Sequence, residues 1–567
     1  MIYATIDIET TGLNRYKDTI TWIGVGLAHT GEQEFFKEYY LDGSSPKDMK
    51  KFKTICNKLR EKKAKTVFQN GKFDTLFIEH HLGIKLPISE DVMLIATAYD
   101  LAAEHGLKHM AQTYLHVPDW DIKKKDKLSG AADTVVPYLK LDVKYTWELF
   151  LYFMDKLTEQ QVKIYRKLLK PAYLAYRNIE RNGLYLDMQQ LKKVKKKYRL
   201  AEQDILEKLK AKADINWNSA PQISKTLFQD MGLPVVEKTP KGAPSASAAA
   251  MKKLAAQGYE IPSMIMEFKD ISTRNKMFLN RWEDDVYESC IHPSFGLTNV
   301  HTGRTSCSNP NLQQVPRTKD IRGLFHGSPG TVLFEADYSQ LELRIAAHYA
   351  KDQTMLDIYR HGGDIHTTTA KLFTGGREPT KEERGKAKAV NFGFLYGMMA
   401  KKFVDYAFNS YGVKFTQQEA TQYREAYFAK YSRLLAWHHE METLCELQGG
   451  VANLFGRFRK LPLIYSSNKW ERASAARRAI NTPVQGSGSD LLISAVTQVD
   501  KELSKYGVKV GATVHDSIIG EIPEDIVDDI VPEIKRIMLH PKVLDDFGVE
   551  LSVPLDVDVG VGPWGTH

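Results

Sequence analysis

Apolar and polar positions alternate over residues 2–8, and again over residues 20–28 after the polar turn Thr10-Thr11-Gly12. A period of two puts alternate side chains on one face, so the pattern predicts two antiparallel strands. Helical periodicity follows at residues 47–63, 73–80 and 89–102, then a lysine-rich loop at 121–127, then a helix over 134–156. Pro171 is expected to open another long helical region. Residues 160–280 are dominated by helical pattern and lysine, with LKKVKKKYRL at 191–200 the densest basic patch and breaks at Pro221 and from Pro234 to Pro244. Such lysines fit a solvated helix face and contact with a phosphate backbone equally well. Beyond Cys290, residues 331–337 and 512–516 predict strands on either side of a helical block from Asp352 to about Leu503. Strand, helices, strand in that order predicts one sheet into which a helical subdomain is inserted. The sequence shows no internal repeat or low-complexity tract.

Composition narrows the class. The chain has 567 residues, with 43% hydrophobic and 26% charged positions and a net charge of +8. At about 150 residues per domain that length predicts roughly three to four structural units, enough to bury large cores without disulfide or metal staples. Cys56, Cys290, Cys307 and Cys445 lie far apart with no C-x-x-C pair, which argues against a disulfide scaffold and a structural zinc site. The start, MIYATIDIET, has no basic leader followed by an apolar core, and no apolar run nears the length of a membrane span. The basic excess is compatible with a polyanionic partner without establishing one. No G-x-x-x-x-G-K-S/T loop is present, which disfavours an ATP-driven motor. The pairs His80-His81 and His438-His439 read as surface residues, since neither has cysteine or carboxylate neighbours at zinc spacing.

Asp7 and Glu9, two apart on a predicted strand, leave the same face of the sheet. An isolated D-x-E also fits a solvated edge strand. Here, however, it is followed by Asp74 in FQNGKFDTL and by Asp142 in YLKLDVKYT, with Tyr138 one helical turn before Asp142. Four hard oxygen donors gathered at one site suit a pair of magnesium or manganese ions, which can activate water and stabilise a leaving oxygen in phosphodiester hydrolysis. D-x-E, N-x-x-x-D and Y-x-x-x-D in this order resemble the tyrosine variant of the DEDD superfamily of 3′–5′ exonucleases. The tyrosine is expected to orient the attacking water.

A second constellation lies toward the C-terminus. LFEADYSQLELRIAAHY carries Asp337 and GATVHDSIIGEI carries Asp516, each predicted at the end of a strand. Either aspartate alone also fits a turn or a helix cap. Between them, Arg384, Lys388, Phe392 and Tyr396 recur every four residues in EERGKAKAVNFGFLYGM, forming a slowly drifting stripe on one helix face. Two cations followed by two aromatics suit a nucleoside triphosphate, with cations for the phosphates and rings for the base and sugar.

These segments resemble motifs A, B and C of family A DNA polymerases, of the bacterial DNA polymerase I and phage replicative type. TGRTSCSNPNLQQVP (residues 302–316), GDIHTTTA (363–370), GRFRKLP (456–462), RRAINTPVQGSGSD (477–490) and the terminal VDVGVGPW fit the family in order, and KTPKGAPSAS near residues 238–247 resembles its thumb. The resemblance covers nearly the whole chain and implies an α/β and α+β multidomain fold. An RNase H-like 3′–5′ exonuclease domain (residues 1–158) would precede a right-hand polymerase. Its thumb would be 159–290, its palm 291–350 and 477–567, and its fingers 351–476.

By the same resemblance, Asp337, Asp516 and the Tyr338 carbonyl hold two magnesium ions, with manganese as a substitute. Asp7, Glu9, Asp74 and Asp142 hold metal at the exonuclease site. Arg384, Lys388 and His366 contact phosphates, Lys388 donates a proton to pyrophosphate, and Gln340 lies at the nucleotide. Glu342 beside Tyr396 excludes a ribose 2′-hydroxyl, and Phe392 discriminates against dideoxynucleotides. Arg304, Asn311, Gln313, Arg477, Asn481, Gln485 and His515 contact primer, template or minor groove, whose acceptors recur on every correct pair. Implied partners are primer–template DNA and dNTPs, a helicase/primase and a single-strand-binding protein. The chain is expected to be monomeric and cytoplasmic, in a host cytoplasm if phage-encoded, with no membrane attachment.

Motif C departs from the usual His-Asp-Glu, reading His515, Asp516, Ser517, so no third carboxylate acts there. Thr305 and Cys307 stand where the family commonly has Leu and Ser. No room precedes Asp7 for a 5′-nuclease domain, and the thumb shows no long insertion of the kind that recruits thioredoxin. The expectation is a compact phage-type replicase. A nuclease whose C-terminal part merely holds nucleic acid, and a degenerate polymerase fold used as a scaffold, are the alternatives. Retention of Asp337, Asp516, Lys388 and all four exonuclease acids argues against the scaffold.

Overall fold

The computed structural model describes residues 1–565, apart from the side chains of Lys124 and Ser129. The chain groups into two compact units. One comprises Met1–Asn182, Phe295–Cys307 and Ala336–Val559; the other comprises Gly183–Ser294, Ser308–Glu335 and the segment from Gly560 onward.

In the first unit the two predicted N-terminal strands are Ile2–Thr10 and Ile20–His29, antiparallel and in register from Ile2 opposite His29 to Glu9 opposite Trp22. Lys37–Asp42 adds a third antiparallel strand, while Lys65–Phe68 and Glu90–Asp91 join in parallel on the other side. Three antiparallel strands continued by parallel ones make the sheet RNase H-like. Helix Ala132–Lys156 packs across it, and Gly24 makes the close approach achievable: a Cβ there would lie 2.8 Å from Val143 and 3.0 Å from Leu139. That contact sets Tyr138 and Asp142 against the strand carrying Asp7, which pairs with Gly24.

Helix Gly71–Leu82 is anchored at its start, where Asp91 accepts from the Gly71 N–H at 2.7 Å and the Tyr173 hydroxyl accepts from the Lys72 N–H at 3.1 Å. Lys72 itself is buried. Its ammonium pairs with Glu180 at 2.6 Å and donates to the Phe295 carbonyl, while Glu180 also accepts from the Phe295 N–H at 2.7 Å. Breaking a buried ion pair by removing one partner leaves an uncompensated charge, which costs about 3–5 kcal/mol. Lys72→Met is therefore expected to lower unfolding free energy by about that amount, and the double change with Glu180→Leu to recover much of it. Denaturant titration of both variants checks this.

Pro171 is the second residue of helix Lys170–Asn182, but that helix continues Glu159–Ile164 through a π-helical turn at Tyr165–Leu169, so the helical run starts before the proline and not at it. Proline lacks the N–H that continues the α pattern, and a π turn is one way to absorb that loss. His438 is likewise not at the surface. It is buried, with Nε2 2.9 Å from the Leu395 carbonyl, and burial lowers its pKa to about 4. His80, His81 and His439 are exposed.

The expected insertion of helices into a sheet is present. Thr331–Tyr338 lies between Ser517–Pro523 and Val557–Val561, with Lys509–Val514 at the far edge, and the helices from Gln353 to Leu503 intervene in sequence. From Ala336 that strand belongs to the first unit. The 35-residue helix Lys469–Leu503 is buried along its second half. There Asp490 accepts from Arg457 at 2.5 Å and from Asn453 at 2.6 Å, and the Ser489 hydroxyl donates to the Gly303 carbonyl at 2.7 Å. Arg457 in GRFRKLP and Asp490 in RRAINTPVQGSGSD thus serve the scaffold.

The second unit is mainly helical, with Met188–Lys212 and Glu260–Arg274 its longest helices. In the basic patch Leu191, Val194 and Tyr198 face inward, and Lys192, Lys193 and Lys196 face solvent. Trp564 of the terminal motif is buried under the Arg322 guanidinium, 4.5 Å from the ring, and donates to Glu335 at 3.2 Å. Among the described residues no helix is long and apolar enough to cross a membrane.

Candidate active sites

On the N-terminal sheet, Asp7, Glu9 and Asp142 each place a carboxylate oxygen within 4.8 Å of the other two. The strand pairing shifts register between Glu9 and Thr10, a bulge of the kind that re-aims side chains beside active sites. Asp74 joins through the backbone, its Oδ1 accepting from the Ile8 N–H at 3.0 Å, directly between the two strand acids in sequence. Tyr138 lies one turn from Asp142, as the spacing predicts. Its hydroxyl accepts from Lys108 at 2.6 Å and from Lys127 at 2.5 Å. Lys108 also pairs with Asp142, and the Trp120 indole N–H donates to Asp142 at 2.6 Å.

Burial, and then the charges of Asp74, Asp142 and Glu9, hold the Asp7 carboxyl well above its ordinary range. Burial and then Asp142 raise Glu9 to about 7, and Asp74 is raised chiefly by burial. Carboxylates forced together at such cost, with oxygen-only donors, fit a hard divalent cation, which would relieve both the repulsion and the desolvation. Lys108 and Trp120 carry no motif in the sequence, and Lys127 is indistinguishable there from the other lysines of its loop.

The second acidic pair forms where the central sheet ends. His515 and Asp516 make a two-residue turn between Lys509–Val514 and Ser517–Pro523, with His515 at φ 56°. Asp516 therefore sits in a turn and not at the end of the strand. The Tyr338 N–H donates to the Asp516 carbonyl at 3.3 Å, which brings the strand end bearing Asp337 next to that turn. Burial raises the Asp516 carboxyl, and the Arg304 charge offsets part of that rise. Glu342, in the first turn of Leu341–Ala350, accepts from both the Tyr396 hydroxyl and Arg304. Arg304, expected on DNA, is thus drawn to the same place as Glu342, Tyr396 and Asp516.

Helix Lys381–Leu395 presents Arg384, Lys388 and Phe392 on one face, and Tyr396 follows its last residue. It begins with a capping box between Thr380 and Glu383. Arg384 forms two hydrogen bonds to Asp364, at 2.7 and 3.2 Å, and Gln340 donates to the same carboxylate at 3.2 Å. Asp364 also caps helix Ile365–Lys371, where His366 lies buried with its ring 5.8 Å from that of Phe392. Burial lowers the His366 pKa to about 4, so the imidazole is neutral at pH 7. The Thr369 hydroxyl donates to Asn391 Oδ1 at 3.0 Å, which turns the Asn391 amide N–H toward His366 Nδ1 at 2.9 Å. Nδ1 then accepts, and the ring proton resides on Nε2. Asn391 lies off the four-residue stripe, and Thr369, though within GDIHTTTA, meets it from another helix, so sequence reasoning gives neither a role.

Arg477, Asn481 and Gln485 follow one another at four-residue spacing on helix Lys469–Leu503. Asn481 has a buried Oδ1 with no hydrogen-bond partner among the described residues. Asn311 accepts from the Gln313 N–H at 3.0 Å in a short 3-10 turn, and both lie in the second unit.

An acid cluster on an RNase H-like sheet, followed by paired acids beside a cation–aromatic helix, defines an exonuclease domain joined to a polymerase fold. The chain belongs to DNA polymerase family A, whose model matches residues 186–566, and a 3′–5′ exonuclease model matches residues 3–158. It is 31% identical to DNA polymerase I of Pseudomonas aeruginosa over 98% of this chain, but spans only 62% of that relative. DNA polymerase I of Aquifex aeolicus is 29% identical, with 94% of this chain and 92% of the relative covered. Among solved structures, the POL domain of Pol1 from M. smegmatis, in complex with DNA primer-template and dNTP, superposes with a TM-score of 0.83 over 99% of this chain and 95% of that one. Its 23% identity makes this a likeness of fold.

Proposed function

We propose that the chain is a DNA-templated DNA polymerase that extends a primer 3′ end with dNTPs and proofreads with a 3′–5′ exonuclease. The observation that carries this reading is the bond from Tyr338 to Asp516, which joins two acids remote in sequence beside Glu342, Tyr396 and Arg304. Primer extension and 3′ trimming, assayed on one labelled primer–template, test it. The right-hand assignment of residues 159–567 to thumb, palm and fingers belongs to the same proposal.

Asp337, Asp516 and the Tyr338 carbonyl would hold a pair of magnesium ions, and Asp7, Glu9, Asp74 and Asp142 another, with manganese as a substitute. When bound, such ions lower the pKa of a hydroxyl or water and stabilise the leaving oxygen. The chain's own residues supply the rest. Lys388 and Arg384 bind the triphosphate, Arg384 by exchanging Asp364 for phosphate, and Lys388 protonates the leaving pyrophosphate. His366 offers Nε2–H as a neutral donor. Glu342, held by Tyr396, crowds a ribose 2′-hydroxyl. Tyr138 orients the water at the exonuclease site. Arg304, Asn311, Gln313, Arg477, Asn481, Gln485 and His515 hold the primer–template.

Three outcomes follow from these assignments. Phe392→Tyr should end discrimination against dideoxynucleotides, so chain termination rises well above wild type; equal termination would reject Phe392 as the discriminating residue. Asn391→Ala frees the His366 tautomer at the loss of a hydrogen bond of about 1 kcal/mol, so extension at pH 7 should fall several-fold. Asn391→Asp, which accepts where the amide donates, should move the pH profile as well as the rate. At the exonuclease site cation binding requires ionised carboxylates, so magnesium affinity should rise with pH, most steeply near the Glu9 value of about 7. Calorimetric titration of the Asp337→Ala variant at pH 6, 7 and 8 measures that slope.

In its narrower form the reading makes the chain a compact, monomeric replicase of phage type, working in the host cytoplasm with a helicase/primase and a single-strand-binding protein. The relatives above are bacterial. Faster strand synthesis on adding a helicase from the same genome would favour the narrower form, and an unchanged rate would count against it.

A further inference from the structure

Trp470 is 83% exposed, although it is the second residue of an ordered 35-residue helix. The Asn468 side chain accepts from its N–H at 2.9 Å, which fixes the helix start. Beneath that start Leu461, Ile464, Val451, Cys445, Ala475 and Ala479 form a closed apolar cluster. The indole is therefore held over a rigid base with no part in the core. Tyr465, just before the helix, is 62% exposed, and its hydroxyl donates to the Glu446 carbonyl at 2.7 Å.

The surroundings are cationic. Lys469, Arg472, Arg477 and Arg478 are exposed, and of the acids at this end Glu471 accepts from the Ser466 hydroxyl at 2.6 Å, while Glu446 lies exposed beside Tyr465. Arg472 donates to the Ser466 carbonyl at 2.9 Å. Burial, and then the charge of Arg478, lower the pKa of Arg459. Residues 470, 474, 477, 481 and 485 also fall on one helical stripe, so Trp470 continues the row of Arg477, Asn481 and Gln485. At 1.5 Å per residue it stands about 22 Å from Gln485 along the axis. Near Gln485 the helix is tied through Ser489 to Gly303, whose neighbour Arg304 reaches Glu342.

We infer that Trp470 is a stacking platform for an unpaired base of the single-stranded template, with Lys469, Arg472 and Arg478 on its phosphates. The inference rests on the polymerase reading for which strand is bound. An indole face stacks on any base, but only an unpaired base has a face to offer, since bases in a duplex are already stacked. Leu447, Leu463 and Tyr465 are exposed as well, but the cations set around Trp470 favour a polyanionic strand over a protein partner.

The test measures affinity for primer–templates with template overhangs of two and of ten nucleotides, by fluorescence anisotropy without dNTP. Stacking is worth about 1–3 kcal/mol per base, so Trp470→Ala should weaken binding of the long overhang by about tenfold. It should leave the short overhang and the melting temperature unchanged, and Trp470→Phe should retain most of the affinity. Equal affinity of wild type and Trp470→Ala for the long overhang would overturn the inference. So would equal weakening on both overhangs, or loss of self-association in place of DNA binding. Wild-type protein that binds in this overhang-dependent way but extends neither primer would defeat the polymerase reading and leave the single-strand platform standing.

Discussion

Asp337→Ala is expected to reduce primer extension about a thousandfold or more, equivalent to about 4 kcal/mol of transition-state stabilisation, while 3′ trimming continues. The residue is exposed at a strand end beside the His515–Asp516 turn, so its loss should leave folding intact. Asp516→Ala should match it in rate. Ser517 should behave differently, because its hydroxyl donates to the Val514 carbonyl at 2.8 Å and is buried in the hairpin. Ser517→Glu would insert a carboxylate where the turn needs that bond, and should impair activity through the turn's shape. Quenched primer-extension time courses on the four proteins give these ratios.

Asp7→Ala should do the reverse, removing 3′ trimming by a comparable factor and sparing extension. It should also carry a stability signature of unusual sign. The Asp7 carboxyl is raised by burial and by three neighbouring acids, so its charged form costs the fold free energy. A group with a raised folded-state pKa lowers stability as pH climbs above its unfolded value, about 4 for aspartate. Removing it should therefore raise the melting temperature of magnesium-free protein at pH 7–8, and the gain should vanish toward pH 4. An Asp7→Ala protein that melts lower than wild type at pH 8 without magnesium would contradict the account of that cluster.

What the sequence disclosed and what it hid divide along physical lines. Periodicity places Asp7 with Glu9, Tyr138 with Asp142, and Arg384 with Lys388 and Phe392, because each set lies on one element and the element fixes its face. Contacts across elements are a different matter. Lys108 and Trp120 reach Asp142 from segments without any motif, and Asn391 meets His366 through a helix pair whose packing no local pattern encodes. The Asp516 turn is hidden for another reason: His515 takes a positive φ with no glycine to announce it. Gly24 shows the converse, a residue invisible as chemistry whose missing side chain lets the helix bearing Tyr138 and Asp142 approach the acids. Family resemblance supplied roles, and the geometry adds how Arg304, Glu342 and Tyr396 hold one another before any substrate arrives.

The central claim is that Asp337 and Asp516 together hold the cations that join a nucleotide to a primer. The most direct measurement is a crystal structure of the chain with primer, template, an unreactive nucleotide and magnesium. The account predicts both carboxylates ligating shared ions at the nucleotide's phosphates, with Glu342 against its sugar. Ions bound without either aspartate, or the two carboxylates too far apart to share one, would contradict it.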